Sequence, residues 1–369
     1  MGADFETIQE IVLRAHQEMS PHVREHINGG SESETTLLRN RQSIDSLAFR
    51  SRVLRDVSEI DPSTTFIGSK LRIPVFLAPV GSLDQVCPEA PLLATKAAAE
   101  FGTLMFLSSV SSFPPLEPER AAEEAGDRLV FQLYQRGDWA WLDAYLERVV
   151  EIGCRAFCLT VDTSYYSRRE RDLFNRYAPP GREGGGGREG FTYQTTITWE
   201  LVDRIRDRIE IPLIVKGIAT AEDARLAVEH GVEVVYVSNH GGRQLDHGLG
   251  AMEVLPEVVE AVAGKAEVVV DSGFVRGSDI LKAIALGARA VGLGKLQAWA
   301  LAAGGDAGVK RMLEILETEI SINMGLLGVT KLDQLDASYL QKATPVKTPT
   351  DLSPFPSIEA LFPVDPHEQ

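Results

Sequence analysis

Short apolar runs alternate with amphipathic stretches through most of this chain. The runs at 73–80, 104–107, 129–134, 156–161, 213–216, 234–237, 267–270 and 290–293 are short, often β-branched and bounded by turn residues, so each predicts a buried strand. Between them, apolar residues at helical spacing predict helices over 89–101, 117–124, 139–152, 199–208, 221–230, 252–262 and 278–286, and a last long one over 308–324. Strands nearly each followed by a helix, eight of them in about 250 residues, have the size and order of an α/β fold of the TIM (β/α)₈ type. A doubly wound sheet is the rival arrangement.

Ahead of this rhythm, residues 6–57 read as mostly helical. Ile8, Ile11, Val12 and Ala15 recur on one face, and Pro21 breaks the run. The expected organisation is a single barrel domain over 1–335, with an N-terminal helical cap over 1–70. A mobile loop is expected over 174–196, because four consecutive glycines at 184–187 cannot pack a core. Past 335 the tail carries Pro345, Pro349, Pro354, Pro356, Pro363 and Pro366 and reads as extended and partly disordered.

A barrel places its chemistry at the carboxyl ends of its strands, so polar residues belong where the apolar runs stop. Ser108, Gln132, Tyr134, Thr160, Asp162, Lys216, Ser238, His240 and Asp271 stand at six successive strand ends. His240 is a candidate base. Arg243 follows it with a planar fork suited to a carboxylate, and Arg169 could complete a two-arginine grip. Asp162 can orient His240 and stabilise its charged form if both face one cavity. Lys216, set directly after Ile214 and Val215, requires an anion or an electron-rich ring beside it. The turns Asp271-Ser272-Gly273 and Gly292-Leu293-Gly294-Lys295 after the last two strands suggest a phosphorylated ligand.

Charge and composition narrow the partners. With 37 Lys and Arg against 53 Asp and Glu, the net charge of −16 disfavours nucleic acid. Cys87, Cys154 and Cys158 form no paired framework, which suits a reducing compartment. No secretory signal and no apolar run of membrane-spanning length is visible, so a cytoplasmic protein without a membrane partner is expected.

Ser238-Asn239-His240-Gly241-Gly242-Arg243-Gln244-Leu245-Asp246 resembles the active-site signature of the FMN-dependent α-hydroxy acid oxidases and dehydrogenases, the family of glycolate oxidase, lactate oxidase and mandelate dehydrogenase. Leu77-Ala78-Pro79, Phe131-Gln132-Leu133-Tyr134, Thr160-Val161-Asp162-Thr163 with Arg168-Arg169, and Val215-Lys216-Gly217 resemble further family motifs in the same order, over about residues 20–330. The resemblance implies FMN at the barrel mouth and oxidation of an (S)-2-hydroxy acid to the 2-oxo acid, with His240 as base and flavin N5 as hydride acceptor. A carbanion route would use the same residues. It further implies Asp162 as partner of His240, Arg169 and Arg243 on the substrate carboxylate, and Tyr134 beside the reacting carbon. Lys216 would meet the flavin N1 and O2 edge. Pro79, Val80, Gly81, Ser108, Gln132, Thr160 and Ser238 would lie about the ring, Asp271 at the ribityl chain, and Gly273, Gly294 and Lys295 at the phosphate.

Where the family carries a carboxylate-binding tyrosine, this sequence offers Arg24 and His26 as substrate contacts. Val275 stands where a phosphate-binding arginine is expected, leaving Lys295 and the adjacent Arg276 for that role. Gly81 replaces the alanine frequent in oxidases, so O₂ and another electron acceptor both stay open. The alternatives are a tailoring oxidase or oxidative decarboxylase of the monooxygenase type acting on a larger 2-hydroxy acid, and a barrel that has lost its flavin. A homotetramer is expected by analogy with the family.

Overall fold

A computed structural model describes residues 4–180, 192–350 and 352–359. The glycines at 184–187, Pro363 and Pro366 lie outside the described residues. The chain opens with α1 (Ile8–Glu18), begun by a capping box in which the Thr7 hydroxyl accepts from the Glu10 amide and the Glu10 carboxylate accepts from the Thr7 amide. Pro21 does end that helix, but it also opens another. It occupies the first turn of α2 (Pro21–Asn28), where its missing N–H is no loss. After α3 (Thr35–Asp45) the expected helix stops: β1 (Leu47–Phe49) pairs instead with a strand from the tail, and residues 50–63 are largely irregular. Local helical spacing lost there to a pairing nearly 300 residues away.

A hairpin unforeseen in the sequence follows. β2 (Thr64–Phe66) and β3 (Ser69–Leu71) turn through Ile67 and Gly68, both with positive φ. Phe66 and Leu71 are fully buried against Phe76, Phe106 and Tyr236, so the hairpin plugs the amino end of the barrel.

The barrel then follows in βα order. β4 (Val75–Leu77), α4 (Ala90–Phe101), β5 (Met105–Ser108), α5 (Pro118–Ala125), β6 (Leu129–Leu133) and α6 (Trp139–Glu151) form its first part. Next come β7 (Ala156–Thr160), the short α7 (Glu170–Phe174), α8 (Trp199–Arg208), β8 (Leu213–Ile218) and α9 (Ala221–Glu229). β9 (Val234–Val237), α10 (Ala251–Val262), β10 (Glu267–Val270), α11 (Gly277–Ala285), β11 (Ala290–Leu293) and α12 (Lys295–Leu327) complete it. All neighbours are parallel and the sheet closes, β11 lying beside β4, which excludes the doubly wound rival.

α12 begins well before the expected 308. Leu296 to Leu301 are all buried, so this part has no polar face and no amphipathic period to read. Gly304 and Gly305 interrupt the helix with non-helical backbone. The tail is docked at two places: β12 (Leu340–Lys342) against β1, and α13 (Pro356–Glu359), preceded by a buried Phe355 whose ring meets Trp299 edge-on.

Strand alternation places the site. On β6 to β10 the inner face runs Val130, then Gln132; Ala156 and Cys158, then Thr160; Ile214, then Lys216; Val234 and Tyr236, then Ser238; and Val269, then Asp271. Residues two apart share a face, so each strand steps from an apolar layer to a polar one at its carboxyl end.

Candidate active site

The polar layer is hydrogen-bonded within itself. Gln132 Nε2 donates to Thr160 Oγ1 at 2.8 Å, Lys216 Nζ to Ser238 Oγ at 2.8 Å, and the Tyr236 hydroxyl to Asp271 Oδ2 at 2.9 Å. Lys216 Nζ also stands 3.6 Å from Asp271 Oδ2. Burial pulls the Lys216 ammonium down, but Asp271 and Asp162 outweigh it and hold the group above its ordinary value, so it stays charged. Gln132 Oε1 is buried with no hydrogen-bond partner among the described residues.

His240 stands just beyond β9 with φ +61°, followed by Gly241 and Gly242 at +68° and +75°. A side chain in this region is strained, and two bonds hold it there: the His240 amide donates to Ser238 Oγ at 3.0 Å and the Gly241 amide to Ser272 Oγ at 3.0 Å. Gly242 is required twice over, since a Cβ there would lie 2.4 Å from the Leu37 amide nitrogen. The imidazole Nδ1 is 3.0 Å from Asp162 Oδ1, and Nε2 is 3.2 Å from the Tyr134 hydroxyl. Burial lowers the His240 pKa below 6.5 against the pull of Asp162, with Lys216 and Arg169 adding to the lowering. Burial raises the Asp162 carboxyl, but His240 and Lys216 more than reverse this and leave it below the usual range. At neutral pH the pair is therefore a neutral imidazole and a carboxylate. Nδ1 carries the proton and Nε2 is a free base that accepts from Tyr134.

Two helices roof this arrangement. Arg169 caps the start of α7; its guanidinium lies over the Tyr166 ring at 4.6 Å, and its Nε is buried without a hydrogen-bond partner among the described residues. Arg243 Nη1 donates to the carbonyls of His26 and Gly29 at 2.6 Å each, the last turn of α2. His26 is 3% exposed, and its Nδ1 lies 2.9 Å from Asp172 Oδ2 on α7.

These groups line one cavity that opens to solvent at the barrel mouth. Of the residues expected from sequence, His26, Pro79, Val80, Gly81, Tyr134, Arg169, Lys216, His240, Arg243, Asp271, Gly273, Gly294 and Lys295 line the cavity together. Asp162 sits behind His240, while Ser108, Gln132, Thr160 and Ser238 belong to the polar layer at the strand ends rather than to the lining. Arg24 and Arg276 are not brought to the cavity. The Arg24 guanidinium turns back to the His16 carbonyl at 3.3 Å, and Arg276 is bound by Glu319 at 2.6 Å. The amino-terminal wall position belongs to His26 alone of the two. Sequence reasoning missed Asn40, Arg41 and Trp299, which also line the cavity. Arg41 pairs with Asp279 at 2.8 and 2.9 Å, a long-range contact that nothing in local spacing reveals.

Residues 15–342 match a family model described as FMN-dependent dehydrogenase. The chain belongs to that family. It is 38% identical over 332 residues to an L-lactate oxidase of Nostoc sp., covering 84% of this chain and 91% of the relative. It is 34% identical over 356 residues to glycolate oxidase of Spinacia oleracea, covering 91% and 96%. A solved structure of mandelate oxidase with benzoyl-formic acid superposes with a TM-score of 0.85 at 34% identity, covering 93% of this chain and 100% of the other. The protein is thus an FMN-dependent oxidoreductase on a TIM barrel.

The residues present suit that cofactor. Gln132 Oε1 is an unsatisfied acceptor of the kind a ring N–H completes, and Lys216 is a buried cation on the cavity wall. At Gly294 an added Cβ would meet only Val80, at 3.9 Å, so a ligand can approach the backbone closely. Lys295, next to Gly294, supplies positive charge on the cavity wall, where Val275 is apolar and buried and Arg41 is already paired with Asp279. Among the described residues no cluster of metal-binding side chains occurs, and no helix is long and apolar enough to cross a membrane.

Proposed function

We propose that this enzyme oxidises an (S)-2-hydroxy acid to the corresponding 2-oxo acid, with His240 as the base. The observation that carries the reading is the neutral imidazole of His240, set between Asp162 and Tyr134 in a cavity that Arg169 and Arg243 also line. The two guanidinium groups, both on the cavity wall, hold the substrate carboxylate. With the acid so anchored, the hydroxyl at C2 is offered to His240 Nε2, which removes its proton. Asp162 faces Nδ1 and stabilises the imidazolium formed, while the Tyr134 hydroxyl donates to the developing alkoxide. Bound FMN supplies the two-electron acceptor. Lys216 keeps a fixed positive charge at the cavity wall, against which negative charge accumulates at low cost.

Lactate, glycolate and mandelate oxidation in the relatives favours simple 2-hydroxy acid oxidation over oxidative decarboxylation. A cytoplasmic homotetramer completes the proposal; three unpaired cysteines support a reducing compartment, and light scattering tests the assembly. The function is tested by anaerobic addition of (S)- and (R)-2-hydroxy acids to the purified flavoprotein. Bleaching of the flavin absorbance with release of the 2-oxo acid, by the S series only, is expected. Failure of every 2-hydroxy acid to bleach it overturns the reading, and readmission of O₂ then reports whether oxygen is the acceptor.

A further inference from the structure

A second histidine–carboxylate pair opens onto the same cavity, and its hydrogen-bond polarity is fixed by the fold. His26 Nδ1 lies 2.9 Å from Asp172 Oδ2, and both side chains are buried, at 3% and 10% exposure. The Asp172 carboxyl is raised by burial but brought below the usual range by His26, Arg243 and Arg169, so it is ionised and can only accept. The proton of the pair therefore sits on His26 Nδ1. Burial first, with Arg243 and Arg169 adding to it, lowers His26 from 6.5 to about 4, so the ring is neutral at neutral pH and Nε2 has a lone pair. Tyr177 packs beside the ring at 5.5 Å and offers no other charge. Nε2 has no hydrogen-bond partner among the described residues, and His26 is one of the residues that line the cavity. One wall thus carries two cationic donors, Arg169 and Arg243, and one neutral acceptor.

A carboxylate placed against a lone pair gains nothing, whereas a donor there satisfies it. We propose that His26 is a specificity-determining residue, selecting 2-hydroxy acids that carry a second hydrogen-bond donor, a hydroxyl or amide N–H, besides the hydroxyl that reacts. This rests on the 2-hydroxy acid reading above. Sites built to bond a substrate hydroxyl discriminate strongly against analogues that lack it, because a buried polar group is then left unpaired.

The test compares kcat/KM for matched pairs of 2-hydroxy acids with and without a hydroxyl on the side chain, alongside the Kd of the corresponding 2-oxo acids read from the flavin absorbance. Wild-type protein should prefer the hydroxylated member by about 10–100-fold in both measures, the range of one buried hydrogen bond. His26→Phe should erase the preference. In Asp172→Asn the carboxamide can donate to Nδ1, which moves the ring proton to Nε2; the preference should then turn toward analogues bearing an ether or carbonyl oxygen. Equal use of both members by the wild type, or a preference unchanged in both variants, overturns the proposal. If no 2-hydroxy acid of either kind bleaches the flavin, it is the function reading that fails, so the two failures are distinct.

Discussion

His240–Asp162 is carried by the barrel itself, whereas His26–Asp172 joins two helices laid over its mouth. Asp162 and His240 follow β7 and β9 directly, so the parallel ladder through β8 sets their separation, and the strained backbone at His240 is pinned by Ser238 and Ser272. Gly217 shows how closely this was fitted: a Cβ there would lie 2.7 Å from that of Asp162. α2 and α7, by contrast, share no ladder. They are clamped by Arg171, which grips Glu34 through two bonds of 2.6 Å and Glu25 at 2.9 Å. In the proposed mechanism proton transfer thus falls to groups set by the strand ladder, and substrate choice to a part held by side chains.

The comparison is broken most directly at the base. His240→Gln should leave the flavin spectrum in place and lower anaerobic flavin reduction by about 10²–10⁴-fold, as measured by stopped flow. The wild-type kcat/KM profile should keep its acidic limb below pH 6.5, because burial holds His240 neutral there.

The second pair should register in stability. The folded protein leaves His26 unprotonated down to about pH 4, while the unfolded chain takes up that proton near 6.5. Stability is therefore complete above 6.5 and falls as the pH drops toward 4, by about 3 kcal/mol in full. Urea midpoints measured between pH 7.5 and 4.5 should show this slope in wild type and a shallower one in His26→Gln. Asp162→Asn should slow flavin reduction by about 10²-fold, since the carboxylate that charge-stabilises His240 is gone. The smallest effect is expected at the clamp: Arg171→Met cuts partly exposed ion pairs, so KM should rise by roughly 5-fold, about 1 kcal/mol, with kcat little changed.

The barrel was legible because each strand is a compact apolar run and each helix mostly shows a face; strands at 234–237, 267–270 and 290–293 came out at their observed limits. What was illegible depends on contacts between distant segments. The hairpin at 64–71, the pairing of 47–49 with 340–342, and the start of α12 have no period of their own. The same division runs through the site. His240, Asp162 and Lys216 could be read because they stand where apolar runs end. Arg24 and His26 are two residues apart and equally eligible as substrate contacts in the sequence, but α2 turns Arg24 back to the His16 carbonyl and brings His26 to the cavity. Asp172 went unnoticed, because its partner lies 146 residues away and the five-residue α7 that carries it is too short to show a period.

Phe355 meets Trp299, and Trp299 is part of the cavity wall, its Nε1 donating to Asn28 Oδ1 at 3.0 Å. All eight barrel strands precede Phe355 in the chain. During synthesis the barrel strands can therefore pair before Phe355 arrives to back Trp299, so this stretch of cavity wall is completed after the barrel that carries it.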